Sequence, residues 1–185
     1  MPHEKPPQPS SSSVPTSLPR PLDKRALRDA LARALEEACD KLARAQRATA
    51  EGVTHEDARA EGDKDMRATE ASYVARGQAM RVEALVADLA KVTQLSTRAL
   101  APGEPVALSA VVLVEDDAGR RALFVAPAGG GTVLRVEGRE GQGLELAVVT
   151  PSSPLGRALV GAVVGDVVSV ERAQGVAELE VLDVL

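Results

Sequence analysis

Leu27, Leu31, Leu35, Ala38, Leu42 and Ala45 recur every three or four residues, and so do Val82, Leu85, Leu89, Val92 and Leu95. That spacing lays one apolar stripe along each of two helices. Set antiparallel, Leu42 faces Leu85, Ala38 faces Leu89, Leu35 faces Val92 and Leu31 faces Leu95, all symmetric about a point near residue 63. Residues 21–100 are therefore expected to form a coiled-coil hairpin with its apex near 62–65. A rival turn at Gly52, with Thr54 as N-cap and Asp57 closing a capping box, would set Leu42 against Lys64 and Leu35 against Ala71. It would leave Leu85 to Leu95 unpaired, so burial rejects it, and Gly52 and Thr54 then mark a kink or restart in the first arm. About 35 residues per arm at ~1.5 Å rise make a spike on the order of 50 Å long.

The helical period ends around Ala101-Pro102-Gly103, which sets the boundary of a second domain over 101–185. There Val106 to Val114, Arg121 to Val125, Thr132 to Val136, Leu144 to Val149, Val167 to Glu171 and Ala177 to Val184 are short β-branched or alternating runs between turn residues. They predict a small, mostly antiparallel sheet. One helix interrupts them: Ser153 caps, Pro154 suits the first position, Leu155 to Val160 fill the body and Gly161 takes the left-handed stop. Leu155, Leu159 and Val160 are expected to cover part of the sheet. The fold class is α+β, a helical hairpin followed by a small sheet domain with one short helix.

Gly129-Gly130-Gly131-Thr132 lacks the lysine and the helix of a phosphate loop, and is a strand connection. Asp116-Asp117-Ala118-Gly119 is a hairpin turn before it is a metal site. Residues 1–20, rich in Pro and Ser, are expected to be a disordered tail.

Composition removes several function classes. Tyr73 and Phe124 are the only aromatics in 185 residues, which excludes stacking platforms for single-stranded nucleic acid and aromatic-lined pockets. Cys39 is the single cysteine, so an internal disulfide and a cysteine-based zinc site are excluded and a reduced, cytoplasmic setting is expected. No apolar run approaches a membrane span, and no signal-peptide pattern opens the chain. His3 and His55 stand apart from any Ser/His/Asp or metal-ligand constellation, so an autonomous enzyme is not expected.

The charge is unevenly spread. Residues 21–50 carry seven Lys/Arg against five Asp/Glu, and residues 51–70 carry three against seven. The spike thus has a mildly basic root and an acidic end. Residues 101–185 carry six basic against twelve acidic side chains, a balance that repels duplex DNA. At the apex, Glu61-Gly62-Asp63-Lys64-Asp65 places carboxylates far from the rest of the chain. The bland reading pairs Asp63 with Arg67 and Glu61 with Lys64 along a solvated helix face, at a few tenths of a kcal/mol each.

The segment Ser153-Pro154-Leu155-Gly156-Arg157-Ala158-Leu159-Val160-Gly161-Ala162-Val163-Val164-Gly165-Asp166, followed by Val167-Val168-Ser169-Val170, resembles the C-terminal domain of bacterial Gre transcript-cleavage factors. The order of parts is similar as well. The resemblance implies a second domain with the fold of FK506-binding prolyl isomerases but not their activity, in keeping with Phe124 as its sole aromatic. It also implies an RNA polymerase-binding elongation factor whose globular domain docks at the rim of the secondary channel while the hairpin passes down it. Tip carboxylates, here Asp63 and Asp65, would then help hold a second Mg²⁺ in the polymerase's own active site and orient a water that cleaves the 3′ end of backtracked RNA. Mg²⁺ takes oxygen ligands and commonly only one or two protein carboxylates, and two metals together stabilise attacking and leaving oxygens. The factor would be silent alone and monomeric.

The tip departs from the family pattern. Gly62-Asp63 matches, but where the family carries Glu three residues on, this chain has Met66, and Arg67 replaces the usual Asn. Asp65 is the nearest substitute, with Glu61 and Met66 as supporting tip residues. On a regular helix, residues two apart point about 200° from each other, so a shared metal requires an irregular apex. Arg44, Arg47, Arg76 and Arg81 are candidates for contact with RNA phosphates or channel walls, against the simpler reading of solubilising charge. Two further readings stand beside cleavage: a channel-occupying regulator that does not cleave, and a coiled-coil adaptor.

Overall fold

The computed structural model describes residues 16–56, 64–137, 143–173 and 175–185. Helix α1 spans Lys24–Glu56 and helix α2 spans Lys64–Thr93. Asp23 starts α1, its Oδ1 accepting from the backbone N–H of Arg25 and Ala26 at 2.9 and 3.0 Å. The helix runs unbroken through Gly52 and Thr54, so the expected restart there is absent. Glycine inside a helix costs about 1 kcal/mol relative to alanine, and neighbouring residues supply it. The seam has the expected members: Leu27, Leu31, Leu35, Val92 and Leu95 share one buried cluster, with Leu85 and Leu89 packed against it.

Burial along the seam has a gradient. Leu27, Leu31 and Val92 are 0% exposed, whereas Ala38, Leu42, Val82 and Leu85 are half-buried. Two helices alone leave each seam residue open on its flanks. The root is closed because a sheet supplies the third wall.

That sheet comprises β1 (Val111–Asp116), β2 (Gly119–Val125), β3 (Val133–Glu137), β4 (Gly143–Val149), β5 (Val167–Arg172) and β6 (Gly175–Val184). The strand order is β3-β4-β2-β1-β6-β5. All neighbours pair antiparallel except β2 and β4, which run parallel with Ala122 opposite Leu146. The period-two alternation sorts its residues to two faces. Val111, Leu113, Ala122 and Phe124 join the helical root in the first cluster. Val112, Val114, Leu123 and Val125 join a second cluster with Leu159, Ala162 and Leu179.

Helix α3 (Pro154–Leu159) covers that second face. Its Ser153 cap accepts from Gly156 N–H at 3.1 Å, and Gly161 sits at φ +93°. Leu159 is buried and Leu155 half-buried, but Val160 is 43% exposed. The expectation that Val160 helps cover the sheet is therefore corrected: it follows the last turn and faces outward.

Two boundaries also differ. Val106 to Ala110 is not strand: Val106 pairs with the chain after α3, through Ala162 O at 2.8 Å and Gly161 N at 2.8 Å, and Ser109 adopts φ +67°. Leu18, inside the expected tail, is 2% exposed and belongs to the first cluster. Its N–H donates to Asp183 Oδ2 at 3.1 Å, and Arg20 Nη2 donates to Asp183 Oδ1 at 2.6 Å. Residues 18–23 form a strap that ties β6 to the start of α1.

Candidate functional site

Glu61 and Asp63 lie outside the described residues. Asp65 and Met66 sit on helical backbone, in the first turn of α2. From Val92 at the root to Lys64, 28 steps of ~1.5 Å carry the chain ~40 Å outward.

The four candidate arginines are all exposed, Arg44 and Arg47 on α1 and Arg76 and Arg81 on α2. Arg44 Nε donates to its own helix at Asp40 O, 3.3 Å away. Tyr73 and Met80 are 69% and 64% exposed, so this stretch of α2 presents apolar as well as cationic side chains to its surroundings. Among the described residues no group of three or more His, Cys, Asp or Glu side chains is arranged to hold a metal.

The sheet domain explains the Ser-Pro-Leu to Gly-Asp segment residue by residue. Ser153 caps, and its Oγ also donates to Thr150 O at 2.7 Å. A Cβ on Gly156 would lie 1.9 Å from Thr150 O, so only glycine lets α3 pack against the preceding turn. Gly165 adopts φ +93°, and Asp166 Oδ2 accepts from Val163 N–H at 2.8 Å to close the turn into β5. These positions build the fold. The outward face of the same segment carries Arg157, Val160, Val164 and Val167, all exposed.

The root of the spike holds features that periodicity did not reveal. The turn Gly129–Thr132 packs on α1: a Cβ on Gly129 would meet Leu31 Cδ1 at 2.7 Å. After α2, Arg98 and Glu104 pair at 2.9 Å, and Glu104 also accepts from Ala101 N–H at 2.7 Å. The Arg98 hydrogen bond first, then the Ala101 N–H and the charges of Arg98 and Lys24, hold the Glu104 carboxyl below its ordinary value of 4.5. A depressed acid stabilises the fold above its unfolded value, and that contribution is lost as pH falls through the folded value. The melting temperature of the natural chain is therefore expected to exceed that of Glu104→Gln near neutral pH, with the difference shrinking as pH drops below 4.5. Thermal melts across acid pH check this.

Long helical hairpin, six-stranded sheet and short capped helix make up the described architecture. A family model described as "Transcription elongation factor, GreA/GreB, C-term" matches residues 128–185. Residues 128–185 are thus similar to the C-terminal part of the GreA/GreB transcription elongation factors. Among solved structures, Gfh1 of Thermus thermophilus is 21% identical, covering 83% of this chain and 94% of its own, with a TM-score of 0.34. Gfh1 of Thermus aquaticus is 25% identical, covering 84% and 94%, with a TM-score of 0.35. A GreA/GreB elongation factor from Nitrosomonas europaea is 16% identical, covering 65% and 94%, with a TM-score of 0.32. At these TM-scores the superpositions carry no weight, and the family rests on residues 128–185. Curated proteins gave no match.

Proposed function

We propose that the chain is an RNA polymerase-binding elongation factor that inserts its hairpin into the secondary channel and stimulates cleavage of backtracked transcripts. The family match over residues 128–185 is the observation that carries this reading. The hairpin supports it physically: its root is fused to the sheet by a common core, so a docked sheet domain gives the distal end a fixed aim. The exposed Val160, Val164 and Val167 provide apolar area for docking.

At the far end, Asp63 and Asp65 would supply oxygen ligands and a local negative field. When bound there, Mg²⁺ would supply charge stabilisation at the scissile phosphate. The chain's own part is to deliver carboxylates, and the polymerase completes the site. Arg44, Arg47, Arg76 and Arg81, all exposed, would meet RNA phosphates or acidic channel walls. A cytoplasmic, polymerase-associated location follows from the role.

A second reading keeps the docking and omits cleavage. Met66, standing where the family carries glutamate, favours it, because a thioether is not a ligand for Mg²⁺. Both readings require a complex. Purified chain is expected to co-elute with RNA polymerase on gel filtration and to lose that behaviour when Val160 and Val164 are both replaced by Asp. Failure of the natural chain to bind polymerase would overturn both and leave the adaptor reading.

A further inference from the structure

Where the strap, the root of α1 and the segment after α2 converge, the protein encloses an open cleft of about 490 Å³. Residues 20–25 line one side, and Thr97, Ala99, Leu100 and Leu185 line the other. Its size falls within the ~300–1,000 Å³ usual for small-molecule sites. Arg20, Lys24 and Arg25 reach its wall, Arg20 ion-paired with Asp183 at 2.6 Å, and the acidic side chain beside them, Asp23, is engaged in capping α1.

Lys24 is the unusual member. It is only 7% exposed, and buried lysines are ordinarily matched by a carboxylate. Here the Nζ makes one long hydrogen bond, 3.3 Å to the carbonyl of Arg98, and no carboxylate pairs with it among the described residues. The acids nearby are committed elsewhere: Glu104 to Arg98, Asp183 to Arg20 and the Leu18 N–H. Burial first, and then the charge of Arg98, push the Lys24 ammonium below its ordinary range, while Glu104 opposes them. The side chain of Arg25 is exposed and makes no ion pair among the described residues. Beside these cations, Pro21, Leu22, Ala99 and Leu100 provide an apolar wall.

We propose that this cleft binds a small polyphosphate ligand of the nucleoside di- or triphosphate class. The phosphates lie against Lys24 and Arg25, with Arg20 at the edge, and the apolar wall receives the remainder. A carboxylate-poor pocket with one buried ammonium suits an anion that brings several acceptor oxygens to one place. The bound ligand would bridge the strap, the hairpin root and the linker. Occupancy therefore stiffens the joint that aims the spike, a consequence independent of whether the tip supports cleavage.

The test is thermal denaturation of the full chain with inorganic triphosphate, ATP or GTP, each titrated to saturation. A ligand held at 100 times its Kd raises the folded-to-unfolded ratio about 100-fold, so a saturable rise in Tm is expected. Equal response to all three probes assigns the recognition to the phosphates alone, and preference for a nucleotide adds the apolar wall. Lys24→Met and Arg25→Ser are each expected to weaken the apparent affinity at least about tenfold, the scale of one charge-assisted contact. Arg157→Ser, on α3, leaves it unchanged. Without ligand, Lys24→Met raises Tm, because it removes a buried charge with no carboxylate paired to it; a lysine serving only to brace Arg98 would lower it. Should Lys24→Met fail to fold, the exposed Arg25→Ser carries the test. No saturable rise with any probe, or a rise that both variants retain, overturns the proposal.

Discussion

Leu31→Ala is expected to destabilise the chain by about 2–5 kcal/mol, the range for deleting a fully buried leucine side chain and leaving a cavity. Leu31 is 0% exposed and lies where three surfaces meet: the seam with α2, the Gly129 turn and the sheet face carrying Leu113 and Phe124. None of these can collapse inward independently. The turn is fixed by Gly131 N–H donating to Val148 O at 2.9 Å, and the sheet by its ladder. At about 2–4 °C per kcal/mol for a chain of this size, the loss should be plain in a thermal melt. The same truncation at half-buried Leu42, farther along α1, is expected to cost far less, because the flanks of a two-helix seam are already wet. Equal losses at the two positions would contradict the shared root core.

The second large effect concerns reach. Deleting residues 43–49 together with 78–84 removes matched stretches of seven from the two arms, keeps the seam in register and shortens the spike by ~10 Å. Leu27, Leu31, Val92 and Leu95 remain, so the root and the sheet domain should stay folded. Binding to polymerase is expected to persist while any effect on transcription is lost, since ~10 Å exceeds any metal-ligand or hydrogen-bond distance. The deletion also removes Arg44, Arg47 and Arg81, so the full-length variant with all three changed to Ser separates charge from length. Unchanged activity of the shortened spike would show that the tip is not what acts.

Local chemistry was legible wherever a side chain dictates its own backbone. The Ser153 cap, the Gly161 stop, the Asp116 to Gly119 turn and the second to sixth strands lie close to their expected positions, whereas the first strand begins at Val111 rather than Val106. The seam was legible because two helical periods had to match. What escaped reading depends on partners distant in sequence. A lone Leu18 in a Pro- and Ser-rich stretch gives no period, yet it fills a core gap 165 residues from Asp183. The parallel pairing of β2 with β4 joins strands separated in sequence by β3, which no local pattern encodes. Nothing in the local sequence around Lys24 signals its burial, which elements distant in sequence impose. The tip stays at what sequence supplies: Asp63 outside the described residues, and Asp65 on the first turn of α2.

RNA length in stalled, backtracked elongation complexes, measured after adding purified chain with Mg²⁺, tests the central claim most directly. The proposed function predicts 3′-shortened transcripts that can be re-extended, absent without polymerase and lost when Asp63→Ala and Asp65→Ala are combined. Bound factor with full-length transcripts, or shortening that survives loss of both carboxylates, would contradict it.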